Sequence, residues 1–314
     1  MLDIRNLSVE FKLGKKSVKA VNNVSLKINE NETVCLIGES GSGKSVLGLS
    51  ILKLLPENVK ISGEVYYKNK NLLSLPEKEL KNIRGKIIAW IPQTSSALNP
   101  VITVGEQIAE PLIYHLKLDK KRAWRRVIDL LNFFSIIPAE KRAKQYPHQY
   151  SGGMKQRALV AMGISAEPEF IIADEPTKGL DIVKKFNVIE AFKKIKKKKL
   201  SQLIITHDLH LAEVIGDKIS VMYCGQVLEV CNKNRFFNEP LHPYSKALLE
   251  ALPDRGLKPI RGFPPSMVNP PSGCKFHPRC DYCLDICKRK EPPFFKVEDS
   301  LVRCWRYDNW KESN

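Results

Sequence analysis

A single glycine-rich stretch limits the fold of this chain more than any other feature of its sequence. An apolar run at residues 34–37 leads into it, and apolar residues at helical spacing follow it. The stretch, called the phosphate loop below, consists of Gly38, Glu39, Ser40, Gly41, Ser42, Gly43, Lys44 and Ser45. A strand, a G-x-x-x-x-G-K-[ST] loop and a helix in this order are typical of sites where backbone N–H groups face phosphate oxygens. We therefore predict that Lys44 binds the β and γ phosphates of a nucleotide and that Ser45 binds Mg²⁺.

Length and composition describe an ordinary soluble chain. Its 314 residues allow one large or two modest domains. No apolar run approaches the roughly 18 residues that a membrane span needs. The first residues lack a basic segment followed by an apolar run, so we expect no secretion signal. We expect a cytosolic protein that docks at the cytoplasmic face of a membrane if it acts there.

The net charge of +17 raises the question of an acidic partner. The densest basic run, at residues 193–199, is interleaved with apolar residues on a helical pattern. We interpret it as the solvated face of a helix. Attraction to anionic lipid head groups and binding to nucleic-acid phosphates are the alternatives.

The pattern along the chain predicts an α/β fold. Alternating segments in residues 2–28 predict antiparallel strands, and further strands are expected at 59–67, 86–91, 170–174, 202–206 and 219–223. Between them, residues from about 104 to 165 have helical periodicity and form a predicted helical subdomain. Proline and glycine become frequent from residue 240. We therefore predict a nucleotide-binding domain at 1–239 and a C-terminal extension at 240–314, called the tail below.

Acidic and polar residues follow three of the predicted strands. Asp174 and Glu175 end a buried apolar run, where ligands of parallel sheets lie. We predict that Asp174 contributes to the Mg²⁺ site and that Glu175 orients or deprotonates the attacking water. His207 and Gln93 also follow strands. A lone histidine is more often structural, but His207 lies where it can contact a γ-phosphate, and the amide of Gln93 lies where it can contact Mg²⁺ or water.

A second glycine turn, Ser151-Gly152-Gly153, opens another helix. Two anion-binding helix starts are one more than a single nucleotide needs. We therefore expect this turn to face the nucleotide of another subunit.

These motifs, in this order, resemble those of ATP-binding-cassette ATPases. The resemblance rests on the phosphate loop, Gln93, SGGMKQR at 151–157, IIADEP at 171–176 and ITHDL at 205–209. It implies a head-to-tail dimer with two ATP molecules, in which Ser151 and Gly153 serve the partner's nucleotide. It also implies that Asp181 lies in a loop at the dimer interface, that His207 contacts the γ-phosphate and that Phe11 stacks on adenine, with core packing as the alternative for Phe11. Two departures from the common pattern are Tyr150 with Met154 in the second turn, and Lys178-Gly179 before Asp181.

The tail resembles the C-terminal extension of dipeptide and oligopeptide importer ATPases. The matching segments are PLHPYSKALL at 240–249 and GCKFHPRC at 273–280. Four tail cysteines without a close C-x2-C pair among them suit an iron–sulfur cluster. The resemblance implies a [4Fe–4S] cluster on Cys274, Cys280, Cys287 and Cys304, with a zinc site or free thiols as alternatives. Cys283 is a fifth thiol for four places.

The resemblance implies an ATP-hydrolysing subunit that powers import of dipeptides or oligopeptides. We expect it to pair with a homologous ATPase and to dock on two transmembrane permease subunits, which an extracytoplasmic solute-binding protein supplies. Import of nickel or another small solute is an alternative. A soluble ATPase of the same family that acts on nucleic acid is an alternative of another class, although such relatives usually carry two cassettes or a long coiled-coil insertion.

Overall fold

The computed structural model of the protein describes residues 1–14 and 16–308, which form twelve strands and eleven α-helices. The strands are β1 (Leu2–Leu13), β2 (Lys16–Ile28), β3 (Thr33–Ile37), β4 (Val59–Tyr67), β5 (Lys70–Asn71), β6 (Ile88–Ile91), β7 (Phe170–Asp174), β8 (Ser201–Thr206), β9 (Lys218–Tyr223), β10 (Gln226–Asn232), β11 (Phe295–Val297) and β12 (Ser300–Val302). The helices are α1 (Lys44–Ile51), α2 (Glu77–Ile83), α3 (Val104–Leu116), α4 (Lys120–Phe133), α5 (Ala139–Ala143), α6 (Gly152–Ser165), α7 (Ile182–Lys197), α8 (Leu209–Ile215), α9 (Lys233–Asn238), α10 (Pro243–Glu250) and α11 (Asp285–Arg289). The last six positions of the predicted tail, 309–314, lie outside the described residues.

The chain divides into two compact units. The first unit comprises Met1–Lys27, Val34–Leu73 and Gly216–Asn314, as far as these are described, and the second comprises Ile28–Thr33 and Ser74–Ile215. The phosphate loop and the tail therefore belong to the same unit. The predicted boundary at residue 240 stays a prediction.

The first unit contains an antiparallel sheet in the order β2-β1-β4-β5. In β1 the buried positions change from even to odd, since Leu2 and Ile4 are buried first and Leu7 and Val9 after them. The register between β1 and β4 shifts between Arg5 and Ser8, which is the bulge that turns the later side chains to the same face. The bulge keeps Leu2, Ile4, Leu7 and Val9 on one buried face of the strand.

Two strands of the first unit, β3 and β9, position the phosphate loop. β3 pairs in parallel with β9, and antiparallel pairs continue from β9 through β10 and β12 to β11. Every residue of β3 is buried. A strand that is apolar throughout is typical of the interior of a parallel sheet, where both faces are covered.

The second unit contains the parallel strands β6, β7 and β8, with β7 paired to both others. All residues of β7 and β8 are buried. Helix α3 packs against α4 and α6. Side chains cap α3, α4, α6 and α7 at their N-termini, and Ser151 and Asp181 are the caps of α6 and α7.

The sequence predictions agree with most of these elements. The strands expected at 59–67 and 170–174 have those bounds, and the α/β class is confirmed. The strand expected at 86–91 begins only at Ile88, because Gly85 has a positive φ of 78° and its N–H bonds to the Ile88 carbonyl in a turn. Among the helices of the described residues, none combines the length and the apolar character needed to cross a bilayer.

Candidate functional site

The backbone of the phosphate loop is held tightly by its neighbours. Gly38 has a φ of 151°, and a Cβ atom built on it would lie 2.1 Å from the Met222 carbonyl oxygen. Gly43 has a φ of 102°, and its Cβ would lie 2.0 Å from the carbonyl oxygen of Ala20. Both positions therefore require glycine, for conformation and for space.

Lys44 lies inside the loop. Its Nζ donates hydrogen bonds to the carbonyl oxygens of Gly38, at 2.7 Å, and Glu39, at 2.9 Å. The side chain is buried although it carries a charge, and Ser45 follows it on the first turn of α1. A buried ammonium group enclosed by a glycine loop at a helix start fits the phosphate groups of a nucleotide.

The first polar side chain of the loop contacts the tail. The carboxylate of Glu39 accepts hydrogen bonds from both terminal nitrogens of Arg279, at 2.7 and 3.1 Å. The backbone N–H of Glu39 donates to the hydroxyl of Tyr244 at 2.9 Å. Sequence reasoning included Glu39 in the loop but did not find Arg279, which is 240 positions away.

The other predicted loop residues differ in exposure. Ser40 and Gly41 are exposed, whereas Ser42 is buried and its carbonyl accepts the N–H of Gly225 at 2.9 Å. Phe11 is half-buried on β1, opposite Val59 of β4. Its predicted stacking on adenine stays a prediction.

In the second unit, Asp174 is the last residue of the buried strand β7 and Glu175 follows it, and both are buried. The Glu175 carboxylate lies 2.7 Å from Nδ1 of His207 and accepts the backbone N–H of His207 at 3.2 Å. Glu175 has a φ of 47°, a left-handed conformation that is uncommon for a residue with a Cβ. The structure thus brings together two of the three predicted catalytic residues, with the carboxylate 8% exposed and the imidazole 46% exposed.

Asp208 supports the turn that follows Glu175, and sequence reasoning missed it. Its carboxylate accepts a hydrogen bond from the Thr177 hydroxyl at 3.2 Å and forms an ion pair with Lys185 at 3.1 Å. Burial alone raises the pKa of Asp208, but the hydrogen bonds from Lys185, the Leu211 amide and Thr177 outweigh it and the pKa is lowered. The carboxylate is therefore ionised at neutral pH and joins the turn to α7 and α8.

A cavity of about 360 Å³ in the second unit brings Gln93 next to the second glycine turn. Its lining consists of Gln93, Thr94, Gly152, Gln156, Lys178, Gly179 and Leu180. Gln156 is buried, and its Nε2 has no hydrogen-bond partner among residues 1–14 and 16–308. The cavity thus joins the predicted Gln93 to the atypical Lys178-Gly179 segment, and Gln156 is a polar lining residue that the sequence reasoning did not select.

Ser151 and Asp181 both act as helix caps. The Ser151 hydroxyl accepts the Met154 N–H at 3.3 Å, and Gly153 is buried beside the side chain of Lys184. Asp181 accepts the Lys184 N–H at 2.9 Å and also pairs with the Lys184 ammonium group, and these contacts lower its pKa. Their predicted roles towards a partner's nucleotide stay predictions.

Tyr150, one of the departures from the common pattern, is a packing residue. It is buried, and its hydroxyl donates to the Arg142 carbonyl at 2.9 Å. Burial raises the pKa of Tyr150 to about 12, so the hydroxyl remains protonated. The tyrosine therefore packs against the helical segment before it and carries no charge.

The predicted [4Fe–4S] cluster is wrong, and so is the metal-binding role given to the tail. In the part of the chain that the structure describes, no group of three or more His, Cys, Asp or Glu side chains is arranged to hold a metal ion. The predicted ligands Cys274, Cys280, Cys287 and Cys304 are free thiols, as is Cys283. Burial raises the pKa of Cys274 to about 12 and that of Cys280 to about 11, with smaller contributions from neighbouring cysteines. Both are therefore neutral thiols at neutral pH in this structure.

Other contacts anchor the start of the tail to strand β10. Glu229 of β10 is fully buried, and its two carboxylate oxygens accept the backbone N–H groups of Leu241, at 2.9 Å, and His242, at 2.8 Å. Nδ1 of the buried His242 accepts the Tyr244 N–H at 3.0 Å. The start of the tail is thus fixed by buried hydrogen bonds.

Comparison with family models gives two matches. Residues 21–178 match the model described as ABC transporter. Residues 228–287 match the model described as oligopeptide/dipeptide transporter, C-terminal region. The first match includes the phosphate loop, Gln93, the second glycine turn and Glu175, and the second includes most of the tail.

Two similar proteins cover nearly the whole chain. The dipeptide transport ATP-binding protein DppD of Bacillus subtilis (strain 168) is 40% identical over 322 residues, covering 99% of this chain and 96% of that protein. The oligopeptide transport ATP-binding protein OppD of the same organism is 40% identical, covering 97% and 88%. Among solved structures, a dimeric ATP-binding cassette in a post-hydrolysis state with ADP and Pi is 29% identical, with a TM-score of 0.67 over 74% of this chain and 99% of that chain.

Proposed function

The chain belongs to the family of ABC transporter ATP-binding proteins, and from this premise we propose that it hydrolyses ATP to power import of dipeptides or oligopeptides. The observation that carries the proposal is the pairing of Glu175 with His207 after the buried strands β7 and β8. A buried carboxylate held by an imidazole is suited to orient a water molecule and to accept its proton.

The phosphate loop holds the nucleotide in this proposal. Lys44 exchanges its bonds to loop carbonyls for bonds to the β and γ phosphates, and Phe11 stacks on adenine. Ser45, Gln93 and Asp174 hold Mg²⁺, and their hydroxyl, amide and carboxylate oxygens are the ligand types that this ion prefers. Bound Mg²⁺ neutralises part of the charge that develops on the phosphate oxygens.

Glu175 and His207 carry the chemical step. Glu175 orients the attacking water and takes its proton, while His207 contacts the γ-phosphate. The short contact to His207 keeps the Glu175 carboxylate in one orientation. Positioning of this kind, rather than covalent chemistry by the protein, accounts for most of the rate of phosphoryl transfer.

Hydrolysis requires a second ATPase subunit in this proposal. Ser151, Gly152 and Gly153 serve the nucleotide of the partner, and Asp181 lies at the shared interface. The exposure of Ser151 and Gly152 at the start of α6 supports this, since their polar groups are accessible to another chain. We expect a homologous but different ATPase as the partner, with the pair attached to two permease subunits at the cytoplasmic face of the membrane.

Peptide is the proposed solute because of the relatives. The similarity to peptide transport ATP-binding proteins extends through the tail, and not only through the cassette. In the complete transporter, an extracytoplasmic binding protein and the permease subunits contact the solute. This chain supplies the free energy of ATP hydrolysis through a change in their relative arrangement.

Glu175→Gln tests the catalytic assignment. The amide retains the shape of the side chain but cannot accept a proton, so we expect ATP binding to persist and kcat to fall by about 10² to 10⁴. Glu213→Gln, on an exposed position of α8, is the matched control and is expected to retain full turnover. ATP binding is measured by titration calorimetry and turnover by phosphate release, with the partner ATPase present. Near-normal hydrolysis by Glu175→Gln would contradict the assignment of Glu175 as the catalytic base.

The solute is tested by uptake into proteoliposomes that contain the assembled transporter. We expect ATP-dependent accumulation of a labelled dipeptide or oligopeptide, lost in Glu175→Gln. Uptake of Ni²⁺ in place of peptide contradicts the solute class. Salt-dependent, sub-micromolar binding of DNA or RNA by the chain favours the nucleic-acid class instead.

A further inference from the structure

One ion pair joins the tail to the phosphate loop. Arg279 holds the Glu39 carboxylate through two hydrogen bonds, and its side chain is only 4% exposed while that of Glu39 is 24% exposed. Two-point contacts between a guanidinium group and a carboxylate fix the relative orientation of both groups. The pair therefore fixes a side chain of the loop with a rigid group from the tail.

Several further contacts fix Arg279 itself. Its Nε donates to the Arg261 carbonyl at 2.8 Å, and Nη1 also donates to the Tyr223 hydroxyl at 3.2 Å. The guanidinium carbon lies 5.8 Å from the ring centre of Tyr223 and 5.9 Å from that of Phe276. Because both the strand β9 and the tail hold the arginine, its position does not depend on Glu39 alone.

The tail contacts the same residue a second time, through the backbone. The Tyr244 hydroxyl accepts the N–H of Glu39 at 2.9 Å, and the Tyr244 ring packs on Tyr223 and Phe276. Glu39 also provides one of the two carbonyl oxygens that bond to Lys44. The conformation of Glu39 is thus tied both to the tail and to the lysine that binds phosphate.

The charge of Glu39 makes this contact relevant to nucleotide binding. A carboxylate in a loop that binds phosphates repels them, and the repulsion is strong where water is partly excluded. An arginine on the carboxylate cancels that charge and keeps the side chain directed at the tail. Without the arginine, the loop would present an unpaired negative charge next to the phosphate site.

We propose that Arg279 is a positioning residue for the nucleotide phosphates: from the tail, it neutralises Glu39 and fixes the first turn of the phosphate loop. The tail then helps to hold the nucleotide site in its binding conformation. This inference rests on the proposed ATP-binding function.

The test is calorimetric titration of the full chain with ATP and Mg²⁺. Arg279→Gln is expected to raise the Kd for ATP about tenfold, within the usual range of coupling between neighbouring groups. The double variant Glu39→Gln/Arg279→Gln is expected to bind ATP at least threefold more tightly than Arg279→Gln, because no unpaired carboxylate remains. A tail arginine that only stabilised the fold would give no such recovery.

Arg303→Gln is the matched control. Arg303 is a half-buried tail arginine that donates to the Asn23 carbonyl at 3.2 Å and makes no contact with the phosphate loop among those found in the described residues. Its substitution is expected to leave the Kd for ATP within twofold of the wild-type value. Melting curves of all variants identify any that do not fold.

Arg279→Lys provides the test if Arg279→Gln does not fold. Lysine retains the positive charge but not the two-point contact, so we expect the Kd to rise about threefold. Unchanged ATP affinity in a folded Arg279 variant, or no recovery in the double variant, overturns the positioning role alone. A wild-type chain that does not bind ATP overturns the proposed function and this inference with it.

Discussion

Lowering the pH should destabilise the protein through one buried histidine. His242 is 1% exposed, and its Nδ1 accepts the Tyr244 N–H, so the imidazole is neutral in the folded protein. Burial lowers the pKa of His242 from 6.5 to about 3, and a hydrogen bond with the Arg303 backbone offsets only part of this effect. Protonation would add a hydrogen to Nδ1 of His242, and this hydrogen would face the Tyr244 N–H in place of the acceptor.

The direction of the effect follows from proton uptake. In the unfolded chain His242 binds a proton as the pH falls below about 6.5, whereas in the folded protein it stays neutral down to about pH 3. The unfolded state therefore binds more protons in this range, and stability is full above pH 6.5 and is lost as the pH falls. With these two pKa values, the loss between pH 7.5 and pH 5 is about 2 kcal/mol.

The assay is urea unfolding of the wild-type protein and His242→Gln at pH 7.5 and pH 5. Glutamine does not titrate. The free energy of unfolding of His242→Gln should therefore change about 2 kcal/mol less between the two pH values than that of the wild type. Other titrating groups affect both proteins equally and cancel in this comparison. His210→Gln, on an exposed position of α8, is the matched control and should retain the wild-type dependence. Equal pH dependence in the wild type and His242→Gln refutes the reasoning.

Two further substitutions test the loop and the tail. Gly38→Ala should weaken ATP binding by more than tenfold in calorimetric titration, since its Cβ would lie 2.1 Å from the Met222 carbonyl oxygen. Gly41→Ala is the control. Gly41 also has a positive φ, but no atom lies within 4 Å of a Cβ built on it, so this variant should weaken binding less. Equal losses would show that space at Gly38 is unimportant. Glu229→Ala should lower the free energy of unfolding by about 2 to 6 kcal/mol, because two buried N–H groups lose their acceptor at about 1 to 3 kcal/mol each. The exposed Glu298→Ala is its control in the same denaturation experiment, and a loss below 1 kcal/mol in Glu229→Ala would contradict the account.

The sequence alone was sufficient to identify functional segments whose residues are consecutive. The phosphate loop is contiguous, and the spacing of its glycines, Lys44 and Ser45 identifies it, although the atoms that leave no room at Gly38 and Gly43 belong to Met222 and Ala20. Glu175 was found because an apolar run of strand length precedes it, and β7 has the predicted bounds. In both cases the local pattern was enough to identify the segment, without knowledge of the distant residues that pack against it.

Contacts between distant residues could not be predicted in the same way. Arg279 and Glu39 are 240 positions apart, and no local pattern distinguishes this arginine from the other basic residues of the tail. The burial of Gln156 beside Gln93 depends on how α6 packs, which its residue types do not specify. These features follow from tertiary packing and appear only in the folded chain.

The cysteine prediction failed for a related reason. The sequence gives the number and spacing of the tail cysteines, but it does not show which groups surround their thiols in the folded protein. Cys274 is held through its backbone, whose N–H donates to the Cys287 carbonyl at 2.8 Å, and its thiol is buried with a raised pKa. The order of the tail comes instead from Glu229, His242 and the pair of Arg279 with Glu39.

The bonds between Lys44 and the carbonyls of its own loop have a consequence for turnover. The ammonium group already has acceptors at 2.7 and 2.9 Å, so the nucleotide of the proposed function would replace these partners instead of meeting a solvated charge. The same acceptors take the lysine back when the product departs. In the proposed function, binding and release at this position are an exchange of partners, so only the difference in strength between the two sets of bonds contributes to nucleotide affinity.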